Sequence, residues 1–171
     1  MLTVLGTKRK FSNRVIGTLG DKYLRQSERT TLAVKILGEQ QEGNDILVVA
    51  VQAGMLHRGS SARRTRISMV GNEYGLGVFA IGCILLTHPE RLSTLDTLMI
   101  DCSGDEYSVR CDYTFDRVPL FDFDIGGIEF SIFYEDRARN LWGTRPGFST
   151  KWFEARPSDQ RLGINLLLNA A

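Results

Sequence analysis

The alternation of apolar and polar positions is clearest in Val118–Glu135, VPLFDFDIGGIEFSIFYE. Gly126-Gly127 divides this segment and favours a two-residue turn, because glycine readily adopts the positive φ that such turns require. Folding about that turn pairs Phe123 with Phe130 and places the aromatic and aliphatic side chains on one face. The opposite face receives three acids: Asp122, Asp124 and Glu129. The pattern predicts an antiparallel hairpin with a core face and an acidic, solvated face.

Further apolar runs predict additional strands. Thr31–Leu37, TLAVKIL, and Ile46–Gln52, ILVVAVQ, are separated by the polar linker GEQQEGND, which predicts a hairpin between them. Both faces of the second run are apolar, so that strand is expected to be central and covered on both sides. Leu98–Tyr113 predicts another hairpin, with its loop at Gly104-Asp105.

Two segments predict helices. Leu76–Leu86 is apolar all round, which is typical of a helix buried inside a fold. Ser158 predicts the N-cap of a last helix that runs through Leu168. The predicted fold class is therefore α+β, with an antiparallel sheet of five or six strands packed against a buried helix (about 76–86) and a C-terminal helix. The 171 residues suit one domain, with residues 1–29 as a partly ordered basic N-terminal arm.

Composition narrows the class of protein. A formal net charge of +1 argues against a dedicated duplex-DNA binder, whose affinity depends on neutralising many phosphates. Three scattered cysteines, Cys83, Cys102 and Cys111, argue against a disulfide framework and indicate a reducing, intracellular (cytoplasmic) setting. No apolar run reaches the roughly 18 residues that crossing a bilayer requires.

Basic and aromatic residues carry the predicted partner contacts. The segment Gly54–Arg66 contains Arg58, Arg63, Arg64 and Arg66 without an acid, and it is typical of a loop. A later segment brings together Trp142, Arg145 and Trp152, and the N-terminus contributes Lys8, Arg9 and Lys10. Cations beside aromatic rings can stack on unpaired bases, lie at an anionic membrane surface or anchor a protein interface. The simpler interpretation is a solvated loop with its tryptophans packed in the core.

Catalytic and metal-binding patterns are weak. Gly75-Leu-Gly77 lacks the following Gly-Lys-Ser/Thr of a phosphate loop, so close helix packing is the favoured interpretation. Carboxylates on the acidic face could hold a divalent metal, although outward-facing acids commonly serve solubility. Cys102 has no base near it in sequence, and nothing orients His57 or His88 towards it. No catalytic residue, metal ligand or cofactor is predicted.

The run Gly127–Arg137, GIEFSIFYEDR, is similar to the strand that follows the late turn of vesiculovirus-type rhabdovirus matrix proteins. A glycine turn leads into an alternating strand that ends in tyrosine and acids, and TLAVKI lies where such a protein has its first core strand. The resemblance implies self-association, nucleocapsid condensation and peripheral membrane contact, carried by Lys8–Lys10 and by loops. The chain departs from the family in lacking a proline-tyrosine late motif and in its short basic tail.

The leading prediction is therefore a non-catalytic structural or assembly protein, matrix-like, that self-associates through complementary surfaces. Segment Gly54–Arg66 would bind an acidic partner, the acidic face a basic one, and the protein would contact RNA, nucleoprotein or anionic membrane. Two alternatives remain open. One is a small metal-dependent enzyme that uses the acidic sheet face, and the other is a ligand-binding or protein-binding module with its pocket under the Trp142–Phe153 loop.

Overall fold

A computed structural model describes residues 1–15, 19–44, 46–52, 57, 59–71, 73–93 and 99–137, and the backbone of strands at 148–149, 151–153 and 166–169. Within this part of the chain the helices are α1 Leu2–Lys8, α2 Glu28–Gln40, α3 Ala62–Ser68 and α4 Val78–Thr87. None of these described helices is long and apolar enough to cross a membrane. The predicted mixture of helices and sheet is confirmed.

The strands are short except for a central pair. They are β1 Phe11–Asn13, β2 Leu24–Gln26, β3 Ile46–Gln52, β4 Tyr74–Gly75, β5 Ile100–Asp101, β6 Asp105–Tyr107, β7 Arg117–Asp124, β8 Gly127–Tyr134, β9 Phe148–Ser149, β10 Lys151–Phe153 and β11 Leu166–Asn169.

The strands form two sheets rather than the single antiparallel sheet that was predicted. The first runs β1-β8-β7-β5-β9, with β6 also paired to β7 and β2 to β6. Its β1–β8 and β5–β9 pairs are parallel, so this sheet is mixed. The second sheet, ordered β11-β3-β10-β4, is antiparallel at every described pair. In the β1–β8 pair, the N-terminal strand lies at the edge of the sheet beside β8.

The predicted β7–β8 hairpin is present, but its turn lies one residue earlier. Phe121 faces Phe130 and Asp124 faces Gly127, so Ile125 and Gly126 form the loop, both with positive φ. Gly127 belongs to the strand, where it pairs with Asp124. Glycine is needed at this position because a Cβ would lie 2.8 Å from the backbone oxygen of Lys10. The shift leaves the predicted residues on their predicted faces.

The prediction of a strand at Thr31–Leu37 is wrong, because this run lies inside α2. The Ser27 side chain caps the helix by accepting a hydrogen bond from the Thr30 backbone N–H. Buried Thr30 and the core-packed Ala33 and Leu37 then follow helical spacing. The β-branched residues that suggested a strand are carried on other sides of the helix, so no hairpin joins this segment to β3.

Strand β3 is confirmed at Ile46–Gln52 and lies between β11 and β10. It is central in its sheet, as predicted, but it is not covered on both faces. Val49 is buried, whereas the neighbouring Val48 is 46% exposed. The C-terminal helix predicted through Leu168 is contradicted at 166–169, which is β11, paired antiparallel with β3. The earlier part of that predicted helix lies outside the described residues.

The predicted buried helix is confirmed as α4, whose Ile81 and Leu85 are completely buried. The glycines before it serve close packing, as the favoured interpretation expected. A Cβ on Gly75 would lie 2.5 Å from the Gly104 nitrogen, so the backbone of the 102–105 turn passes directly against β4. This approach leaves no cradle for a phosphate at Gly75.

The hairpin predicted about Gly104-Asp105 is wrong. Strand β5 pairs with β7, and β6 pairs with β2 and β7, so the two arms diverge. At this turn the buried Asp105 carboxylate accepts a hydrogen bond from the Val78 N–H at 2.7 Å and thereby caps α4. The turn is drawn towards α4, and a symmetrical hairpin cannot form there.

Residues 1–29, predicted as a partly ordered arm, supply α1, β1 and β2. Leu5 of α1 is completely buried and belongs to the main core with Ile81 and Leu85 of α4. Phe121 and Phe130 contribute from the first sheet, with ring centroids 5.0 Å apart. The core therefore lies between α1, α4 and one face of the first sheet.

Candidate binding groove along helix α2

Two of the predicted partner-binding arginines are used within the fold. The Arg9 guanidinium donates to the backbone oxygens of Leu85, Arg91 and Leu92 at 3.4, 3.1 and 2.9 Å. Burial lowers the pKa of Arg9 from its ordinary value. This side chain therefore fastens the end of α1 to the turn that follows α4.

Arg66 has a similar internal role. Its guanidinium donates to the backbone oxygens of Ser103 at 2.9 Å and Asp105 at 2.6 Å, and to the Glu135 carboxylate. Glu106 lies 3.8 Å away. The segment predicted as a mobile loop, Gly54–Arg66, is a helix at its end, where Ser61 caps α3. Arg66 thus ties α3 to the first sheet.

The remaining predicted basic and aromatic residues do not form one described site. Lys8, Arg63 and Arg64 are exposed, and exposed Lys10 donates to the Ile125 oxygen at 3.2 Å. For Trp152 only the backbone is described, in β10 opposite Tyr74 and Val51. Three further residues lie outside the described residues: Arg58, Trp142 and Arg145.

The acidic face is smaller than predicted. Asp122, Asp124 and Glu129 are half-buried, and Asp122 rather than Asp124 lies opposite Glu129. Glu129 forms a 2.9 Å ion pair with Arg14, while Asp124 accepts from the Ile125 N–H at 3.0 Å. On the same face, farther from the turn, the side chains are buried and apolar: Val118 and Leu120. The acids therefore occupy only the end of the hairpin.

Metal-binding residues do not converge in the described part of the chain, where no group of three or more His, Cys, Asp or Glu side chains could hold an ion. Cys102 is completely buried. His57 Nδ1 lies 3.3 Å from the Ser68 hydroxyl, and His88 lies 3.3 Å from Glu90. These positions give no support to the metal-dependent alternative.

A concave site along α2 was not predicted. A cavity of about 480 Å³ runs along α2, between that helix and strands β3 and β4, and we call it the α2 groove. Its apolar walls are formed by Leu32, Ala33, Ile36, Leu37, Val49 and Tyr74. Burial raises the pKa of the Tyr74 hydroxyl above its ordinary value. The groove volume lies within the range of small-molecule sites.

One end of the α2 groove is polar and rigid. The Arg29 guanidinium donates to the backbone oxygens of Glu73, Met69 and Gly71 at 2.7, 3.1 and 3.0 Å. Glu73 is nearly buried, and its carboxylate accepts from the Val70 N–H at 3.1 Å. These bonds hold the start of α2 against the turn at 69–73, so this end of the groove is preformed.

The rims of the α2 groove expose large apolar side chains. Leu32 is 59% exposed and Ile36 is 42% exposed on the helix side. Val70, which precedes the wall residue Gly71 in the chain, is also exposed. Scattered single apolar residues at a surface are ordinary, whereas here the exposed apolar side chains Leu32 and Ile36 line a concave surface.

A sequence signal for this groove exists once the segment is taken as a helix. At 3.6 residues per turn, successive residues are about 100° apart around a helix. The arc from Leu32 to Val34 therefore covers about 200° of the circumference of α2. The stripe that packs on the core, around Ala33 and Leu37, covers only part of that sector. An apolar sector wider than the core-facing stripe indicates a second contact surface.

Comparison of the chain with protein-family models, with curated proteins and with solved structures found no match.

Proposed function

We propose that this protein is a binding module that takes an apolar ligand or apolar segment of a partner into the α2 groove. The observation that carries the proposal is the combination of a concave cavity of about 480 Å³ with the exposed apolar side chains of Leu32 and Ile36. Covering apolar surface is favourable at roughly 25 cal/mol per Å², so an apolar occupant gains free energy on entering.

Preorganisation supports the same conclusion. Thr30 is buried and donates to the Gly75 oxygen at 3.0 Å, while Arg29 holds the opposite wall. The groove therefore exists before anything binds, and an occupant does not have to order it. Pre-formed apolar sites with a few fixed polar groups are typical of ligand-binding pockets.

The test uses Nile red, a neutral dye whose emission shifts to the blue in apolar surroundings. We expect the wild-type protein to bind it, and Leu32→Glu and Ile36→Glu to weaken binding by at least about ten-fold, because each removes an apolar contact and places a charge in the groove. Val109→Glu is the matched control, since Val109 is 53% exposed but does not line the groove. Equal binding by all variants would refute the proposal; retained thermal unfolding curves exclude dye binding to unfolded chains.

Self-association through charge is a second candidate function. It is favoured by exposed Arg63 and Arg64 on α3 and by Asp122 and Asp124 at the hairpin end. The resemblance to matrix proteins stays a prediction. Sedimentation at low and high salt tests it, because exposed charges are screened within about 8 Å at physiological ionic strength. We expect oligomers at low salt that dissociate at high salt and are lost in Arg63→Glu/Arg64→Glu; a monomer at both would contradict it.

A further inference from the structure

The turn at 102–105 is a junction between α2, α3 and α4. The Ser27 N–H at the start of α2 donates to the Gly104 oxygen at 2.8 Å. Arg66 of α3 donates to two backbone oxygens of the same turn at 2.9 and 2.6 Å. The Val78 N–H at the start of α4 donates to the carboxylate of the turn at 2.7 Å. A displacement of this turn therefore acts on three helices at once.

The Asp105 carboxyl of this turn is tightly enclosed. It is 5% exposed, and a Cβ on Gly77 would lie 2.5 Å from one of its oxygens. The backbone of the turn lies just as close to β4, since a Cβ on Gly104 would overlap the Gly75 oxygen. Burial disfavours the charged form of a carboxyl because the charge loses its hydration. An ionised Asp105 therefore regains water only when one of the surrounding elements moves away.

The start of α2 is the element beside this turn that solvent reaches most easily. Glu28 and Arg29 are exposed and Ser27 is half-buried, whereas Val78 at the start of α4 is buried. On α3, Arg66 fastens the turn with two hydrogen bonds from one guanidinium. Local opening is expected where the backbone hydrogen bonds are most exposed to solvent. The hydrogen bond from Ser27 to the turn is therefore the one that we expect to break first.

We propose that the hydrogen bond from the Ser27 N–H to the Gly104 oxygen is a pH-sensitive latch, which releases the start of α2 when the Asp105 carboxyl ionises. The inference goes beyond the proposed function: α2 forms one wall of the α2 groove, but the latch operates without an occupant. Protonation keeps the latch closed, because a neutral carboxyl stays buried at a smaller cost in hydration than a charged one.

Charged groups act on Asp105 from two sides. Arg66 of α3 favours its ionised form, and Glu106, the next residue on β6, opposes it. Arg66 is itself bonded to the Glu135 carboxylate after β8. Of the other neighbouring elements, β2 places Gln26 opposite Asp105, and α4 carries no charged side chain. The pH dependence therefore reflects burial of Asp105 set against the nearby Arg66 charge.

The direction of the effect follows from that balance. Burial outweighs the Val78 hydrogen bond and the Arg66 charge, and raises the pKa of Asp105 from 3.8 to about 6. Because the pKa is raised in the closed form, the latch is complete below pH 3.8 and weakens as pH rises through about 6. Asp101, a further buried carboxyl, lies on β5 and is present in both wild type and the Asp105 variant, so a comparison of the two removes its effect.

The experiment is amide hydrogen exchange of the full chain, followed by NMR at the Ser27 N–H from pH 4 to pH 7, in wild type and in Asp105→Asn. The variant keeps an oxygen acceptor for the Val78 N–H and cannot ionise. Comparing the two proteins at each pH removes the intrinsic pH dependence of exchange. With a pKa of 3.8 in the open form and about 6 in the closed form, the ratio of the wild-type to the variant exchange rate should rise roughly 50-fold over this range.

The amide of Leu85, which is completely buried within α4, serves as the control for global unfolding. We expect it to exchange more slowly than Ser27 in both proteins. A Ser27 ratio that stays constant with pH would overturn the latch. Equal exchange rates at Ser27 and Leu85 would also overturn it, because both amides would then open only by global unfolding. If Asp105→Asn does not fold, the protection of Ser27 in wild type should still fall roughly 50-fold from pH 4 to pH 7, and constant protection would refute the inference.

Discussion

The buried Asp105 carboxyl allows a quantitative test of the packing at the start of α4. It is 5% exposed, and its carboxylate accepts from the Val78 N–H at the start of α4. Gly77 makes room for it, because a Cβ there would lie 2.5 Å from one carboxylate oxygen. Burial raises the pKa of Asp105 from 3.8 to about 6, against the opposing effects of the Val78 hydrogen bond and the Arg66 charge.

The direction of the pH effect follows from this shift. Because the folded pKa exceeds the unfolded pKa, the native state binds more protons between pH 3.8 and about 6. The contribution of Asp105 to the free energy of unfolding is complete below pH 3.8 and is lost as pH rises through about 6. At 1.36 kcal/mol per pKa unit, the loss amounts to about 3 kcal/mol.

The perturbation is Asp105→Asn, which keeps an oxygen acceptor for the Val78 N–H and removes the titration. Urea unfolding at several pH values from 4 to 7 gives the free energy of unfolding of each protein. We expect the variant and wild type to be similar near pH 4, and the variant to be more stable by about 3 kcal/mol near pH 7. Taking the difference in free energy of unfolding between the two proteins at each pH removes the contributions of the other titrating groups, because both proteins share them.

Asp112→Asn is the control of opposite sign. Hydrogen bonding from the Thr114 N–H lowers the pKa of the exposed Asp112 carboxyl, so its ionised form is favoured in the native state. That variant should lose stability relative to wild type as pH rises above the acidic range. The stability difference between Asp105→Asn and wild type could instead stay constant with pH, or change in the same direction as for Asp112→Asn. Either result would mean that the positive electrostatic potential at the start of α4 outweighs burial in setting the pKa of Asp105, and would refute the reasoning.

Three further substitutions have clear expectations. Ile125→Asn should raise the free energy of unfolding by about 1 kcal/mol, because Ile125 is 81% exposed and held at φ +36°; a lower melting temperature would count against this. Arg66→Ala should cost about 3 kcal/mol by leaving buried acceptors unpaired, whereas Arg63→Ala should change urea stability by less than about 0.5 kcal/mol. Ser27→Ala should cost about 1 kcal/mol through loss of the α2 cap and Ser27→Gly only a few tenths; equal losses would show that the cap is not the cause.

The local sequence pattern was sufficient to predict an element where a single physical signal dominated. The β7–β8 hairpin follows from strict alternation around a glycine turn, and α4 from a run too apolar to be exposed. The exact turn could not be predicted, because Gly127 is required by the approach of Lys10 from a distant part of the chain. A contact between backbone segments that are far apart in sequence cannot be recognised from the local pattern of residues.

Helix α2 shows why the groove could not be predicted. Its residues alternate well enough to suggest a strand, and the Ser27 cap that establishes the helix is a single residue outside the apolar run. Strand periodicity places Leu32 and Ile36 on the face opposite Ala33 and Leu37, whereas in the helix all four side chains line the groove. The strand interpretation therefore concealed the groove, although the residues that form it were recognised as apolar.

The internal hydrogen bonds of three arginines could not be predicted from the sequence, and the structure gives a common reason for them. Arg9, Arg29 and Arg66 each donate to backbone oxygens at a helix end or turn, where carbonyl groups have no partner in regular structure. A guanidinium has enough donors to satisfy several such oxygens at once, so irregular connections favour arginine for internal reasons. Arg9, Arg29 and Arg66 thus lie where they satisfy the carbonyl groups of turns and helix ends. A charged partner should be sought at Arg63 and Arg64, whose side chains are exposed.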